Sequence, residues 1–179
     1  MKPGRVDADY TVESDYTFVF GDLNYRVDEE YDETVKQLAE GRKSELWGKD
    51  QLNGQRSENH VLSQFTEGEL NFLPTYRIER YSDEWSNKKN QPPSWTDRIL
   101  IRAHRFLDIS AYEARHECIG SDHRPVVGSY VVSIRSWFMP PTLPSITEDP
   151  MFAIIELMWL EVVFDCEICL LYTSDAADE

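Results

Sequence analysis

The 179-residue chain is 41% hydrophobic, 12% aromatic and 28% charged, enough apolar material for one packed core and too much for wholesale disorder. A net charge of −15 excludes an evenly basic, polyanion-attracting surface, but the charge is uneven: residues 135–179 hold one basic and nine acidic residues, and basic residues gather earlier as Arg77, Arg80, Lys88, Lys89, Arg98, Arg102 and Arg105. Cys118, Cys166 and Cys169 form no disulfide framework, no ligand histidine accompanies the CxxC pair, and no signal peptide opens the chain, so a reducing, cytoplasmic setting is expected.

Residues 16–20 are a short apolar, aromatic and β-branched run that stops at Gly21 and Asp22. That pattern predicts a buried strand ending in a polar turn at the sheet's edge, where sites form. Residues 32–40 predict a short helix, with Val35 and Leu38 on one face, acidic residues in its first turn and Gly41 as its C-cap. Ser44 is placed to cap a weaker helical stretch through Leu52. Residues 99–101 and 126–134 are the other strand candidates, the second broken by Gly128, with polar loops between them. Interleaved strands and helices make the fold class mixed α/β.

Residues 151–171 are apolar, but Glu156, Glu161, Asp165 and Glu167 interrupt them. Each would cost kilocalories at mid-bilayer, so no transmembrane span is expected. Pro140, Pro141, Pro144 and Pro150 set this segment apart as a linker would. The organisation expected is therefore a domain over residues 1–134 and a tail over 135–179, the last residues of which read as read-through sequence.

Three clusters carry chemistry, each at the end or start of an expected strand. In Gly21-Asp22-Leu23-Asn24-Tyr25-Arg26, Asp22 and Asn24 can share one pocket, an anion to take a proton or hold a metal and an amide to bind a phosphoryl oxygen. Read bare, the same residues serve as a plain turn. In Pro93-Ser94-Trp95-Thr96-Asp97-Arg98-Ile99, preceded by Pro74-Thr75-Tyr76-Arg77, a carboxylate and a guanidinium open a strand, which suits an ion pair as well as a site. In Ser121-Asp122-His123-Arg124-Pro125, an imidazole has Asp122 beside it and Asp97 available from another strand. A carboxylate that fixes the tautomer of a histidine equips it to stabilise a phosphoryl group in flight.

Taken together, these clusters resemble the signatures of the inositol polyphosphate 5-phosphatases, the first over residues 9–27, the second over 93–100, a linking motif over 66–77 and a closing motif over 121–125. The resemblance covers about residues 10–134. It implies the endonuclease/exonuclease/phosphatase fold, a four-layer αββα sandwich, of which this chain would carry the second half. It also implies magnesium-dependent hydrolysis of the 5-phosphate of a phosphoinositide or soluble inositol polyphosphate by in-line attack of water, at a peripheral membrane surface. Nucleases of the deoxyribonuclease I and abasic-site type share the Gly-Asp-x-Asn and Ser-Asp-His motifs and are the runner-up. The residues 74–77 and 93–98 favour the phosphatases, so no nucleic-acid partner is expected.

By that resemblance, Asp22 orients or deprotonates the attacking water and Asn24 fixes the phosphoryl group. Asp97 orients His123, and Asp122 lies near the metal or the water and is the one magnesium ligand expected here. Substrate contacts are expected from Tyr25, Arg26, Tyr76, Arg77, Lys88, Lys89 and Arg98, with Arg77 on a neighbouring 4-phosphate. Four departures stand out. Arg77 replaces the usual Lys, changing a compact ammonium into a planar fork. Gln91 replaces Arg or Asn. Thr96 replaces the commoner Cys, a change expected to be harmless. The family's upstream Asn, Glu and His find no match in the twenty residues before Gly21, so the chain is expected to be N-terminally truncated, inactive alone and prone to aggregate.

Overall fold

The computed structural model describes residues 14–104, 107–137 and 159–170. Strand β1 (Tyr16–Asp22) is followed by helices α1 (Tyr31–Ala39), α2 (Lys43–Trp47) and α3 (Gln51–Ser57). Strands β2 (Thr66–Glu67), β3 (Asp97–Ala103), β4 (Leu107–Ala114), β5 (Val126–Trp137) and β6 (Trp159–Leu170) complete the described elements. They form two antiparallel three-stranded sheets, ordered β1-β3-β2 and β4-β5-β6.

The two sheets meet through aromatic and aliphatic side chains. Ile99 and Ile101 of β3 share one core with Tyr112 of β4 and with Val126, Tyr130 and Val132 of β5. Phe18 meets the edge of Tyr130 at 5.3 Å between centroids, and the Tyr16 hydroxyl donates to the Ser133 carbonyl at 2.7 Å. Strand β3 is buried on both faces, which fits the unbroken apolar run Ile99-Leu100-Ile101 at its centre. Its second face meets the helical region, where Arg98 stacks over Trp47 with 4.9 Å from guanidinium carbon to ring centroid.

Local signals account for most boundaries. Helix α1 ends at Glu40, and Gly41 follows at φ +74°, the left-handed position a glycine occupies without strain. The stretch expected as one helix capped by Ser44 is instead two. Ser44 lies inside α2, the chain turns at Gly48, and Asp50 starts α3 by accepting the Asn53 amide at 2.9 Å. A carboxylate at this position caps more strongly than a continued helix would gain, and it also anchors Arg98, as described below.

Two strands differ from the sequence reading. Strand β4, placed within loops above, alternates half-buried and exposed residues from Leu107 to Ser110 before a register shift between Ile109 and Ala111. Gly128 does not break β5, because its missing Cβ leaves room for Tyr130, whose ring atoms would lie 2.5–2.8 Å from one. Strand β6 pairs with β5 from Trp137↔Trp159 to Val126↔Leu170, so residues 159–170 join the second sheet instead of standing apart from it. Their sequence alternates Leu160, Val162, Phe164, Cys166 and Ile168 with Glu161, Asp165 and Glu167, broken only at Val163, a period of two that the apolar average concealed. The prolines between 140 and 150 lie outside the described residues. Among the described residues no helix is long and apolar enough to cross a membrane.

Gly68 follows β2 where a Cβ would fall 2.5–2.7 Å from Cβ, Cγ and Cδ1 of Tyr112. The root of that ring cannot swing aside, because its hydroxyl donates to Glu67 at 2.9 Å and accepts the Ile99 amide at 3.2 Å. Gly68→Ala is therefore expected to destabilise the chain by about 1–3 kcal/mol in urea unfolding. An unchanged midpoint would show that the contact relaxes freely.

Candidate active site

Backbone pairing brings the three clusters together. Antiparallel register sets Asp22 at the end of β1 opposite Asp97 at the start of β3, and the Leu23 amide donates to the Thr96 carbonyl at 2.8 Å. The segment after Pro74 then bridges the other two clusters. On one side Thr75 and Tyr76 donate to the Ser94 carbonyl at 3.2 Å, and Ser94 donates back to Tyr76 at 2.6 Å. On the other, the Arg124 amide donates to Thr75 at 2.9 Å and the Ile78 amide to Asp122 at 3.0 Å. Residues 74–78 thus hold residues 94–97 and 121–124 at a fixed spacing.

Local turns aim the side chains. The Asn24 amide donates to Asp22 Oδ1 at 2.9 Å while Asn24 takes φ +59°, a left-handed conformation that asparagine tolerates. The His123 amide donates to the Ser121 hydroxyl at 3.2 Å in the equivalent serine turn. Asp22 and Asn24 are exposed, whereas Asp97 and His123 are only 2% and 6% exposed.

His123 Nδ1 lies 3.0 Å from Asp97 Oδ2. The same oxygen accepts the Thr75 hydroxyl at 2.7 Å and the Thr96 hydroxyl at 2.9 Å. The Tyr76 ring lies against the imidazole, with centroids 4.3 Å apart and planes tilted by 35°, and the Arg26 guanidinium sits 4.6 Å from the Tyr76 centroid. Arg26 also donates to Asn24 Oδ1. A continuous run of contacts therefore joins Asn24 through Arg26 and Tyr76 to His123 and Asp97. It combines an exposed carboxylate and amide with a buried, oriented imidazole, which suits activation of water beside a phosphoryl group that the imidazole stabilises.

Beside it lies a cleft of about 280 Å³ lined by Arg77, Ile78, Glu79, Arg80, Lys88 and Asp122. Arg77 and Arg80 approach the Asp122 carboxylate at 3.3 and 4.0 Å, and Lys88 pairs with Glu79 at 2.8 Å. The structure thus gathers Arg77 and Lys88 at one cleft, as well as Arg80, which the basic run of the sequence contained but the motif reading did not single out. Lys89 is exposed on the same loop and Tyr25 is half-buried between Asn24 and Arg26. Neither lines the cleft.

One expectation requires correction. Arg98 is not a substrate contact: it is fully buried, with Nε and Nη2 on Glu67 at 2.6 and 2.8 Å and Nη1 on both Asp50 oxygens at 3.0 and 3.1 Å. Burial opposes its charge, but Glu67 and then Asp50 outweigh that and hold the guanidinium above its ordinary pKa. Asp122, expected as a magnesium ligand, faces the guanidinium groups of Arg77 and Arg80 at 3.3 and 4.0 Å. Among the described residues no group of three or more His, Cys, Asp or Glu side chains could hold a metal ion, so these residues alone do not fit a magnesium site.

Comparison with known proteins agrees with this architecture. Residues 5–129 match the model of the endonuclease/exonuclease/phosphatase family 2. The chain is 35% identical over 165 residues to phosphatidylinositol 3,4,5-trisphosphate 5-phosphatase 2 of Sus scrofa, covering 87% of this chain and 13% of that protein. It is 37% identical over 125 residues to inositol-1,4,5-trisphosphate 5-phosphatase 1 of Schizosaccharomyces pombe, covering 67% of this chain and 11% of that one. Among solved structures, the inositol polyphosphate 5-phosphatase domain of SPsynaptojanin, in complex with inositol (1,4)-bisphosphate and calcium ion, matches with TM-score 0.59 and 38% identity over 65% of this chain and 33% of that one. A Cimex nitrophorin in its ferrous NO complex matches with TM-score 0.59 and 29% identity over 64% of this chain and 41% of that one, so the fold alone does not separate functions. By its family model and its curated relatives, the chain belongs to the endonuclease/exonuclease/phosphatase family 2 and, within it, to the inositol polyphosphate 5-phosphatases.

Proposed function

We propose that this chain carries catalytic residues for hydrolysis of the 5-phosphate of phosphatidylinositol 4,5-bisphosphate or 3,4,5-trisphosphate, or of soluble inositol polyphosphates, at a cytoplasmic membrane surface. One observation supports it above the others: strand register sets exposed Asp22 opposite buried Asp97, and Asp97 in turn holds His123 at 3.0 Å. In this reading Asp22 orients or deprotonates the attacking water and Asn24, held by Arg26, binds a phosphoryl oxygen. His123 stabilises the charge that develops on the transferring group. Magnesium is the divalent ion we propose for the reaction, with ligands beyond the described residues. When bound it would neutralise charge on the phosphate.

Arg77, Arg80 and Lys88, partly offset by Asp122 and Glu79, leave the cleft one positive charge in excess, which suits a phosphorylated ring. Arg77→Ala is expected to weaken substrates with a 4-phosphate by about 1.5–3 kcal/mol, roughly 10- to 150-fold in kcat/KM, relative to those without one. Comparing phosphate release from phosphatidylinositol 4,5-bisphosphate with release from the 3,5-isomer tests this. Equal losses on both would remove Arg77 from the 4-phosphate.

A second reading, a noncatalytic interaction module, draws on the lack of a three-ligand metal group among the described residues. Phosphate release from the 5-phosphorylated lipid, with and without magnesium, separates it from the first.

A further inference from the structure

The reaction proposed above uses His123 and Asp97, and it leaves unexplained why two further side chains converge on the same carboxylate oxygen. Asp97 Oδ2 accepts from Thr75 Oγ1 at 2.7 Å, from Thr96 Oγ1 at 2.9 Å and from His123 Nδ1 at 3.0 Å. All four residues are buried, Thr75 and Thr96 completely. Resting on that functional reading, we propose that Thr75 and Thr96 are positioning residues for His123. Their hydroxyls lock the Asp97 carboxylate in the one orientation that presents Oδ2 to Nδ1.

The chemistry of the donors makes the arrangement directional. A carboxylate oxygen only accepts, so each hydroxyl commits its single proton to Oδ2 and the third bond must be donated by Nδ1. The ring is thereby fixed with its proton on Nδ1, and Nε2 carries the lone pair of the neutral imidazole or the second proton of the charged one. With either hydroxyl gone, the torsion about the Asp97 Cβ–Cγ bond, broad for a carboxylate, is restrained from one side only.

The two threonines also approach from different parts of the chain. Thr96 comes from the residue before β3, and its carbonyl accepts the Leu23 amide beside Asp22. Thr75 comes from the bridging segment, and its carbonyl accepts the Arg124 amide, next to His123 itself. Each hydroxyl therefore ties the carboxylate to the backbone of a different catalytic cluster. On this account Thr96 in place of the commoner Cys is not neutral, since a thiol is a much weaker donor than a hydroxyl.

The test is the imidazole of His123 in the nitrogen-15-labelled 179-residue chain, read by long-range proton–nitrogen correlation and assigned by its loss in His123→Gln. In the wild type the ring should show the Nδ1-protonated tautomer with a slowly exchanging Nδ1 proton. Thr75→Val and Thr96→Val should each mix the tautomers and speed that exchange at least about 10-fold, the scale of one lost hydrogen bond to a charged group. Thr75→Ser and Thr96→Ser should restore the wild-type pattern. A folded Thr75→Val/Thr96→Val double variant with an unchanged ring would overturn the proposal. Should the valine variants fail to fold, Thr96→Cys keeps the shape and weakens the donor: intermediate exchange supports the proposal and wild-type exchange overturns it. In an active form, kcat should fall about 10-fold per valine with KM within about 2-fold. A fall in kcat with an unperturbed ring counts against the proposal. Ring changes as expected, with no inositol phosphate hydrolysed even when the chain is joined to an upstream family segment that carries the Asn, Glu and His, would support the positioning and overturn the functional reading instead.

Discussion

Replacement of Arg98 by alanine is expected to cost the chain about 3–5 kcal/mol of stability. The guanidinium is fully buried and spends its donors on Glu67, Asp50 and the Trp95 carbonyl, while its face covers Trp47. Glu67 is a hub in its own right, accepting from Arg56 at 3.2 Å and from the Tyr112 hydroxyl at 2.9 Å. Removing Arg98 strands two carboxylates out of water with too few donors. The pH dependence should betray the cause. Burial already pushes the Asp50 carboxyl above its ordinary value of 3.8 against the pull of Arg98, and without Arg98 only the Asn53 amide still opposes that push. A folded-state value above the unfolded one favours folding most below the unfolded pKa, and the benefit disappears as pH rises through the folded value. The variant should therefore gain stability as pH falls from neutrality toward 3.8, relative to the wild type. Urea midpoints across that range check both statements. A midpoint within about 1 kcal/mol of wild type at neutral pH would mean that the ion network is dispensable.

The second large effect is catalytic. In an active full-length form, Asp22→Asn should lower turnover about 10²- to 10⁴-fold while leaving inositol-phosphate binding nearly intact. The amide keeps the oxygen that accepts the Asn24 amide at 2.9 Å, so the turn survives, and the side chain is exposed at the end of β1, so the core is untouched. What is lost is the negative charge opposite Asp97 that a water needs in order to be oriented or deprotonated. Parallel measurements of kcat and of substrate affinity by calorimetry separate the two. Near wild-type turnover would remove Asp22 from the reaction.

Much of this was legible in the sequence because the signals were local. β1 and β3 announce themselves as apolar runs, α1 by its spacing of Val35 and Leu38 before Gly41, and the His123–Asp97 pair by two motifs that only a sheet could bring together. The less legible parts depend on partners distant in the chain. Arg98 reads as a substrate contact until Asp50 and Glu67, 48 and 31 residues away, are seen to enclose it. The same Asp50 divides a helix that periodicity alone would continue. Thr96 looks like a harmless exchange for cysteine until its hydroxyl is found on Asp97 Oδ2. Strand β4 hides because its alternation is short and crosses a register shift, and β6 because an apolar average masks a period of two.

In the proposed function these residues serve removal of one particular phosphate. The most direct measurement incubates inositol 1,4,5-trisphosphate and magnesium with the 179-residue chain, and in parallel with the chain joined to an upstream family segment that carries the Asn, Glu and His. The product is identified by phosphorus NMR. The account predicts inositol 1,4-bisphosphate and inorganic phosphate from the joined protein, with neither formed by its Asp22→Asn variant. Loss of the 1- or 4-phosphate, or no phosphate release from either protein, would contradict it.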